Sequence, residues 1–240
     1  MSVILYEEKD AIAVITMNRP DKRNALNSEL LNGLGEYLHQ ANDNPNVKVI
    51  VIRGAGEKAF TAGFDLKESM NNNITDIVER RADTQHELDF FRYLWYLPKP
   101  VISAVQGYCI GGGNTIALMS DLVIAADNAA FGNPEIPVEL WKLPFNKAVE
   151  WYFEGKYFTG EEMREMGVVN EVVPFEKLEQ RTMEVALQVA RVPAESMGMM
   201  KHAIRKMYDI RGFSNTLDYC AEMFNLSRTN MQKKDMGEFR

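Results

Sequence analysis

The chain has 240 residues, of which 46% are hydrophobic and 25% charged, with a formal net charge of −7 at pH 7. That length suffices for one well-developed core with an appended helical part, and the apolar share excludes a disordered tail. The acidic balance, with no basic run carrying interleaved aromatics, argues against a nucleic-acid binder. No apolar span reaches membrane length, and the opening MSVILYEEKDAIAVITM lacks the basic start and small-residue cleavage site of a leader, so no membrane partner is expected and the cytoplasm is the expected compartment. Cys109 and Cys220 obey no pairing rule and read as reduced thiols. His39, His86 and His202 lack metal-ligand spacing, so no metal is expected and they read as surface or interface residues.

In chain order, Val3 to Glu7 and Ala11 to Met17 read as paired strands around Lys9-Asp10. Asn18 to Lys22 is turn chemistry. A helix follows with Asn27 or Ser28 as its cap, and Leu30, Leu31, Leu34, Tyr37, Leu38 and Ala41 fall on one face. Gly33 and Gly35 weaken that helix and predict close packing there. A strand over Val47 to Ile52 runs into a glycine loop, Ala59 to Lys67. A long helix, roughly Ile74 to Leu97, ends at Pro98. This β-α rhythm predicts parallel sheet units with right-handed crossovers.

The stretch from Pro100 to Asp121 is the most informative. Val101 to Val105 is a β-branched run of buried-strand length, Gly107 and Gly111-Gly112-Gly113 follow, a helical pattern covers Asn114 to Met119, and a second strand covers Leu122 to Ala126. A strand that passes through glycines into a helix offers unpaired N–H groups at the positive end of the helix dipole, a place for developing negative charge. The triplet fits neither the P-loop nor the dinucleotide fingerprint. Two such strand-end loops, one at Ala59 to Lys67 and one at the triplet, could converge on a single oxygen.

Beyond Asp127 a short extended piece, Phe131 to Pro137, precedes a stretch that reads as almost wholly helical from Trp141 onward. Tyr219 there reads as core packing, with reach into a site from a partner helix as the alternative. The shift in character divides the chain into 1–140 and 141–240.

The segments NRPDKRNAL (18–26), AFTAGFDLKE (59–68), KPVISAVQGYCIGGG (99–113), SDLVIAAD (120–127), AAFGNPEI (129–136), FTGEEMREMGVVNEVVP (158–174) and MKHAI (200–204) occur together and in the order of a known family. The chain resembles the crotonase, or enoyl-CoA hydratase/isomerase, superfamily. The resemblance implies an α/β, ClpP/crotonase-like fold of repeated ββα units, with the site in 1–140 and a helical region in 141–240 for trimerisation and pocket closure. It implies acyl-CoA thioester substrates, homotrimers or dimers of trimers, and coenzyme A as part of the substrate with no prosthetic group.

Carried over residue by residue, the resemblance places the two oxyanion-hole N–H groups on Phe64 and Gly112 and the catalytic carboxylate on Glu135. The backbone that meets adenine falls on Ala62, and Asp65, Leu66 and Lys67 continue the CoA segment, with Asp65 reading as a helix cap. Lys67 and Lys22 are candidates for phosphate neutralisation. Phe64 stands where small residues are common and would narrow the acyl pocket. Hydratases of the family carry a first glutamate where this chain has Thr115. A threonine can orient water or substrate but does not ionise near neutrality, so it does not replace a general base. One carboxylate suits double-bond isomerisation better than hydration, with Glu139 a weaker candidate for a second acid. The alternatives are a hydratase-lyase acting on a hydroxycinnamoyl-type or other bulky enoyl-CoA, and a non-catalytic acyl-CoA- or RNA-binding homologue. Because relatives often extend past the position of Phe239 with basic residues, the end at Arg240 carries an expectation of weaker adenine contacts or a shortened chain.

Overall fold

A computed structural model describes residues 2–71, 74, 76–132 and 141–230. The chain opens with β1 (Ile4–Lys9) and β2 (Ile12–Met17), antiparallel across Asp10 and Ala11, both at positive φ (51° and 67°) as a two-residue hairpin of this hand requires. Next come α1 (Ser28–Asp43), β3 (Val49–Gly54), β4 (Ala59–Thr61), α2 (Leu66–Asn71), α3 (Ile77–Tyr96), β5 (Val101–Val105), β6 (Tyr108–Ile110), α4 (Gly112–Met119), β7 (Leu122–Ala126) and β8 (Ala130–Gly132). The remainder is α5 (Phe145–Glu154), β9 (Phe158–Thr159), α6 (Gly160–Glu165), β10 (Glu171–Val173), α7 (Leu178–Ala190), α8 (Ala194–Ile210) and α9 (Phe213–Asn230).

The strands form two sheets. The larger has the order β1-β2-β3-β5-β7-β10, parallel except for the β1 hairpin, and the smaller has the order β4-β6-β8-β9, parallel except for β9. Each of three passes leaves the large sheet and adds a strand to the small one, and the first two then enter α2 and α4. The expected ββα repetition is therefore present in β3-β4-α2 and β5-β6-α4, and β7-β8 supplies a third pair of strands.

The continuous apolar runs have a direct cause, since the large sheet is covered on both faces. One face carries Ala13, Ile15, Ile50, Ile52, Val101, Val105 and Val123 into the main core with α1, α3 and α4. The alternate residues Ile12, Val14, Val49, Val51, Ile102 and Ile124 pack on the other side with Leu178 and Ala186 of α7. Helix α1 starts at Asn27, whose side chain accepts the Leu30 N–H at 3.1 Å, and buries Leu30, Leu31, Leu34, Leu38 and Ala41 as its periodicity predicts. Close packing at Gly33 is also borne out, because a Cβ there would lie 3.3 Å from the Ile4 side chain.

Three sequence-based expectations need correction. Helix α3 begins at Ile77, capped by Asp76, three residues later than the periodicity suggested. The segment beyond Trp141 is not almost wholly helical, because β10 supplies the last strand of the large sheet beside β7 and β9 closes the small one. Tyr219 is 65% exposed on α9 and is not core packing within this chain. Among the described residues no helix is long and apolar enough to cross a membrane.

Helices α8 and α9 fold back on α3. Trp95 of α3 stacks on Phe213 at 4.2 Å between ring centroids, and the Arg205 guanidinium lies 3.5 Å over the Trp95 ring. Asp121, at the end of the α4–β7 turn, receives Lys201 Nζ at 2.6 Å and Arg205 Nη2 at 2.7 Å, which fixes α8 to the sheet.

Candidate active site

The candidate site begins where β6 ends. Gly111 adopts φ 52° and ψ −120°, a conformation that a side chain resists, and so turns the strand directly into α4. Its carbonyl takes the N–H groups of Asn114 (2.9 Å) and Thr115 (3.3 Å), which closes the first turn from inside. Among the described residues the Gly112 N–H, ahead of that turn, has no backbone acceptor. No side chain caps this helix end, so its partial positive charge is left for another group.

The second loop follows β4, which runs parallel beside β6. Leu26 bridges Phe64, with the Leu26 N–H donating to Gly63 O and the Asp65 N–H donating to Leu26 O, both at 2.8 Å. In such a bridge the central residue turns its own N–H away from the partner segment. The Phe64 N–H therefore points away from Leu26. The two loops touch: a Cβ on Gly63 would lie 2.9 Å from Ile110 O, and one on Gly112 would lie 2.9 Å from Phe64 Cε2 and 3.1 Å from Leu26 Cδ1. The Phe64 ring thus lies against the Gly112 backbone, held from behind by an edge-on contact with Phe91 at 6.4 Å. Any side chain at 112 would displace it.

Thr115 lies wholly buried in the first turn of α4, and its hydroxyl has no partner among the described residues. The chain that leads toward Glu135 is anchored at the same place, because Gly132 O accepts Asn114 Nδ2 at 2.7 Å and the Gly111 N–H at 3.4 Å. Glu135 itself lies outside the described residues, as do Glu139 and the end of the chain near Phe239.

The residues expected to bind coenzyme A share one edge. Segments 19–26 and 62–67 run side by side, joined by the Ala62 N–H to Arg23 O at 2.9 Å and by Asp65 to Arg19 at 3.1 Å. Lys22 and Lys67 are exposed there, and Leu66 is 54% exposed at the start of α2. Asp65 is a cap, since its Oδ1 accepts the Lys67 N–H at 3.2 Å. Thr115 stands apart from this edge, behind the glycine turn.

Two contributors were missed in the sequence. Asn24, buried and at φ 55°, accepts the Arg19 N–H at 3.0 Å and donates to Ala55 O (3.0 Å) and Ala59 O (2.9 Å), so it holds the loop edge against β4. Its signal was an asparagine placed just after turn residues, a type that tolerates left-handed backbone. Arg23, also left-handed at φ 51°, is exposed with its guanidinium 5.6 Å from the Tyr108 ring and adds a cation beside Lys22. Among the described residues no group of His, Cys, Asp and Glu side chains gathers as a metal site.

A large and a small sheet, both mostly parallel, with two touching strand-end loops beside the uncapped start of α4, define an α/β protein. The comparisons specify it further. The profile of the enoyl-CoA hydratase/isomerase family matches residues 7–239. A probable enoyl-CoA hydratase of Mycobacterium smegmatis superposes with a TM-score of 0.87 at 34% identity, covering 94% of each chain. An enoyl-CoA hydratase/isomerase of Xanthobacter autotrophicus Py2 gives 0.93 at 28% identity over 98% of this chain and 91% of that one. A carnitinyl-CoA dehydratase of Mycobacterium avium 104 gives 0.80 at 29% identity over 95% and 94%. The chain belongs to the enoyl-CoA hydratase/isomerase family, within the crotonase superfamily.

Proposed function

We propose that the protein binds an enoyl-CoA thioester and moves its double bond, with the main-chain N–H groups of Phe64 and Gly112 on the thioester oxygen and Glu135 as the one acid/base. The observation that carries this reading is Thr115, a non-ionising residue enclosed in the first turn of α4 where family hydratases have a glutamate. Hydration needs one group to activate water and another to protonate the α-carbon, whereas isomerisation needs a single base that takes a proton and returns it. In a 3-enoyl thioester the Glu135 carboxylate removes the proton beside the carbonyl. The electron pair spreads over a dienolate whose oxygen the two N–H groups hold, and the same carboxylic acid protonates the far end of the dienolate. Each such donor is worth about 2.7–4 kcal/mol at the transition state. Chain connectivity supports the assignment, since three residues span at most about 11 Å from the anchored Gly132.

Lys22, Lys67 and Arg23 supply positive charge for the phosphates along the exposed edge, and the Ala62 backbone borders the adenine. The region 141–240 closes the pocket and assembles the trimer. Supporting this, α8 exposes Met199 (68%), Met207 (62%) and Ile210 (76%), an apolar stripe that suits a second copy.

The test is a panel of a 3-enoyl-CoA, a 2-enoyl-CoA and feruloyl-CoA followed by thioester absorbance. Isomerisation of the first with slow hydration of the second supports the proposal. Aldehyde release from the third would make the protein a lyase, and stabilisation by all three without turnover would make it a binding protein. Phe64→Ala is expected to open the space over Gly112. Its kcat/KM for a branched or aryl enoyl-CoA should rise relative to a short straight-chain one by about tenfold, the scale of one or two methylenes of pocket space. An unchanged ratio would show that the Phe64 ring does not border the acyl group.

A further inference from the structure

A second cavity lies at the other end of α4. It has a volume of about 410 Å³, opens between α8 and the N-terminal ends of β5 and β7, and contains none of the residues assigned to catalysis or coenzyme A binding. Helix α4 separates the two places by about 12 Å at its rise per residue. Leu122, Val189, Met197, Met200 and Ile204 form an apolar wall. Lys142, Lys201 and Arg205 form the polar part, with Asp121 the carboxylate among the described lining residues and the Tyr208 ring beside them.

Among the described residues the cations there outnumber the carboxylates. Lys201 and Arg205, each 7% exposed in the side chain, share Asp121. Among the described residues Lys142 donates to the Ser120 carbonyl, at 3.5 Å, and the Arg205 Nε is buried with no partner. Carbonyls at the end of α4 offset part of the excess, since Arg205 also donates to Met119 O at 3.2 Å. Burial pushes the Lys142 ammonium down to about 8, with Arg205 adding to the shift and Asp121 opposing it.

We propose that this cavity binds a medium-chain carboxylate, its head group among Lys142, Lys201 and Arg205 and its chain along the wall of Leu122, Val189, Met200 and Ile204. Charge complementarity selects the anion, and the apolar wall selects the tail. The space holds about a dozen groups of water size, the bulk of a carboxylate with a chain of about ten carbons.

The test reads Lys142 directly and does not depend on turnover. The whole protein is treated at pH 8 with an amine-acylating reagent, with and without decanoate, and modification of Lys142 is compared with that of exposed Lys206 by mass spectrometry. Decanoate at ten times its dissociation constant should slow Lys142 labelling by about tenfold and leave Lys206 unchanged. Decanol, with the tail but no charge, and sulfate, with charge but no tail, should protect poorly. Calorimetry should find one decanoate site per chain that Lys142→Gln removes, while the shift in Tm caused by a CoA thioester persists in that variant. Equal protection by decanol would reduce the cavity to an apolar hole and overturn the proposal. So would no protection by decanoate, a Lys142 already unreactive because another copy covers it, or decanoate binding that survives Lys142→Gln. Failure of the isomerase assignment would appear only in the substrate panel, so the two ideas fall separately.

Discussion

Glu135→Gln is expected to lower kcat for double-bond migration by about 10²- to 10⁴-fold while thioester affinity is largely retained. The substitution keeps the size of the side chain and removes its ability to accept and return a proton. The main-chain donors on Phe64 and Gly112 are untouched, so binding and carbonyl polarisation persist and the loss falls on kcat with little change in KM. The proposed function rests on one carboxylate, with Thr115 at the position of a second, so the whole loss should fall on this substitution. Activity that survives Glu135→Gln would mean that another group carries the proton, with Glu139 the first to examine.

Asp121→Ala is expected to have the largest effect on stability, a loss of about 3 kcal/mol in urea unfolding with an unchanged m value. Removing Asp121 leaves Lys201 and Arg205 as two charges in a protein environment with no counter-ion, and it strips the Val101 N–H of its acceptor at 2.8 Å. The figure sits at the low end for a broken buried pair because the Asp121 side chain is 21% exposed and water offsets part of the loss. A loss below about 1 kcal/mol would show that the triad behaves as a surface ion pair.

That triad also shows what the sequence could and could not convey. SDLVIAAD and MKHAI were matched as separate segments of a resemblance, with no physical reason for their pairing. The reason is that Asp121 from the first holds Lys201 from the second, across 80 residues of chain. Strands β5 and β7 were legible to the residue because both faces of the large sheet are buried, which turns alternation into unbroken apolar runs. The small sheet was not legible. Its strands β4, β6 and β8 have three residues each, too few for any period to show, and β6 lies among glycines that read as loop. Helix α4 was anticipated from Asn114, but its true start at Gly112 depends on the conformation of Gly111, which composition alone does not reveal.

At the site, the glycine triplet reads as a source of main-chain donors at a helix start, and the structure adds that a Cβ on Gly112 would meet the Phe64 ring. Asn24 stayed hidden, since its three hydrogen bonds join segments that are distant in sequence. Thr115 was legible as a departure from a pattern, and the structure adds that it is enclosed rather than open to bulk water.

The infrared carbonyl stretch of a thioester bound to the Glu135→Gln protein tests the oxygen-gripping pair of amides most directly, using carbon-13 at the carbonyl to isolate the band from the protein background. The account predicts a band at lower frequency than that of the same thioester in water, because two aligned donors polarise the C=O bond before any proton moves. A bound thioester whose band stays at or above its frequency in water would contradict it.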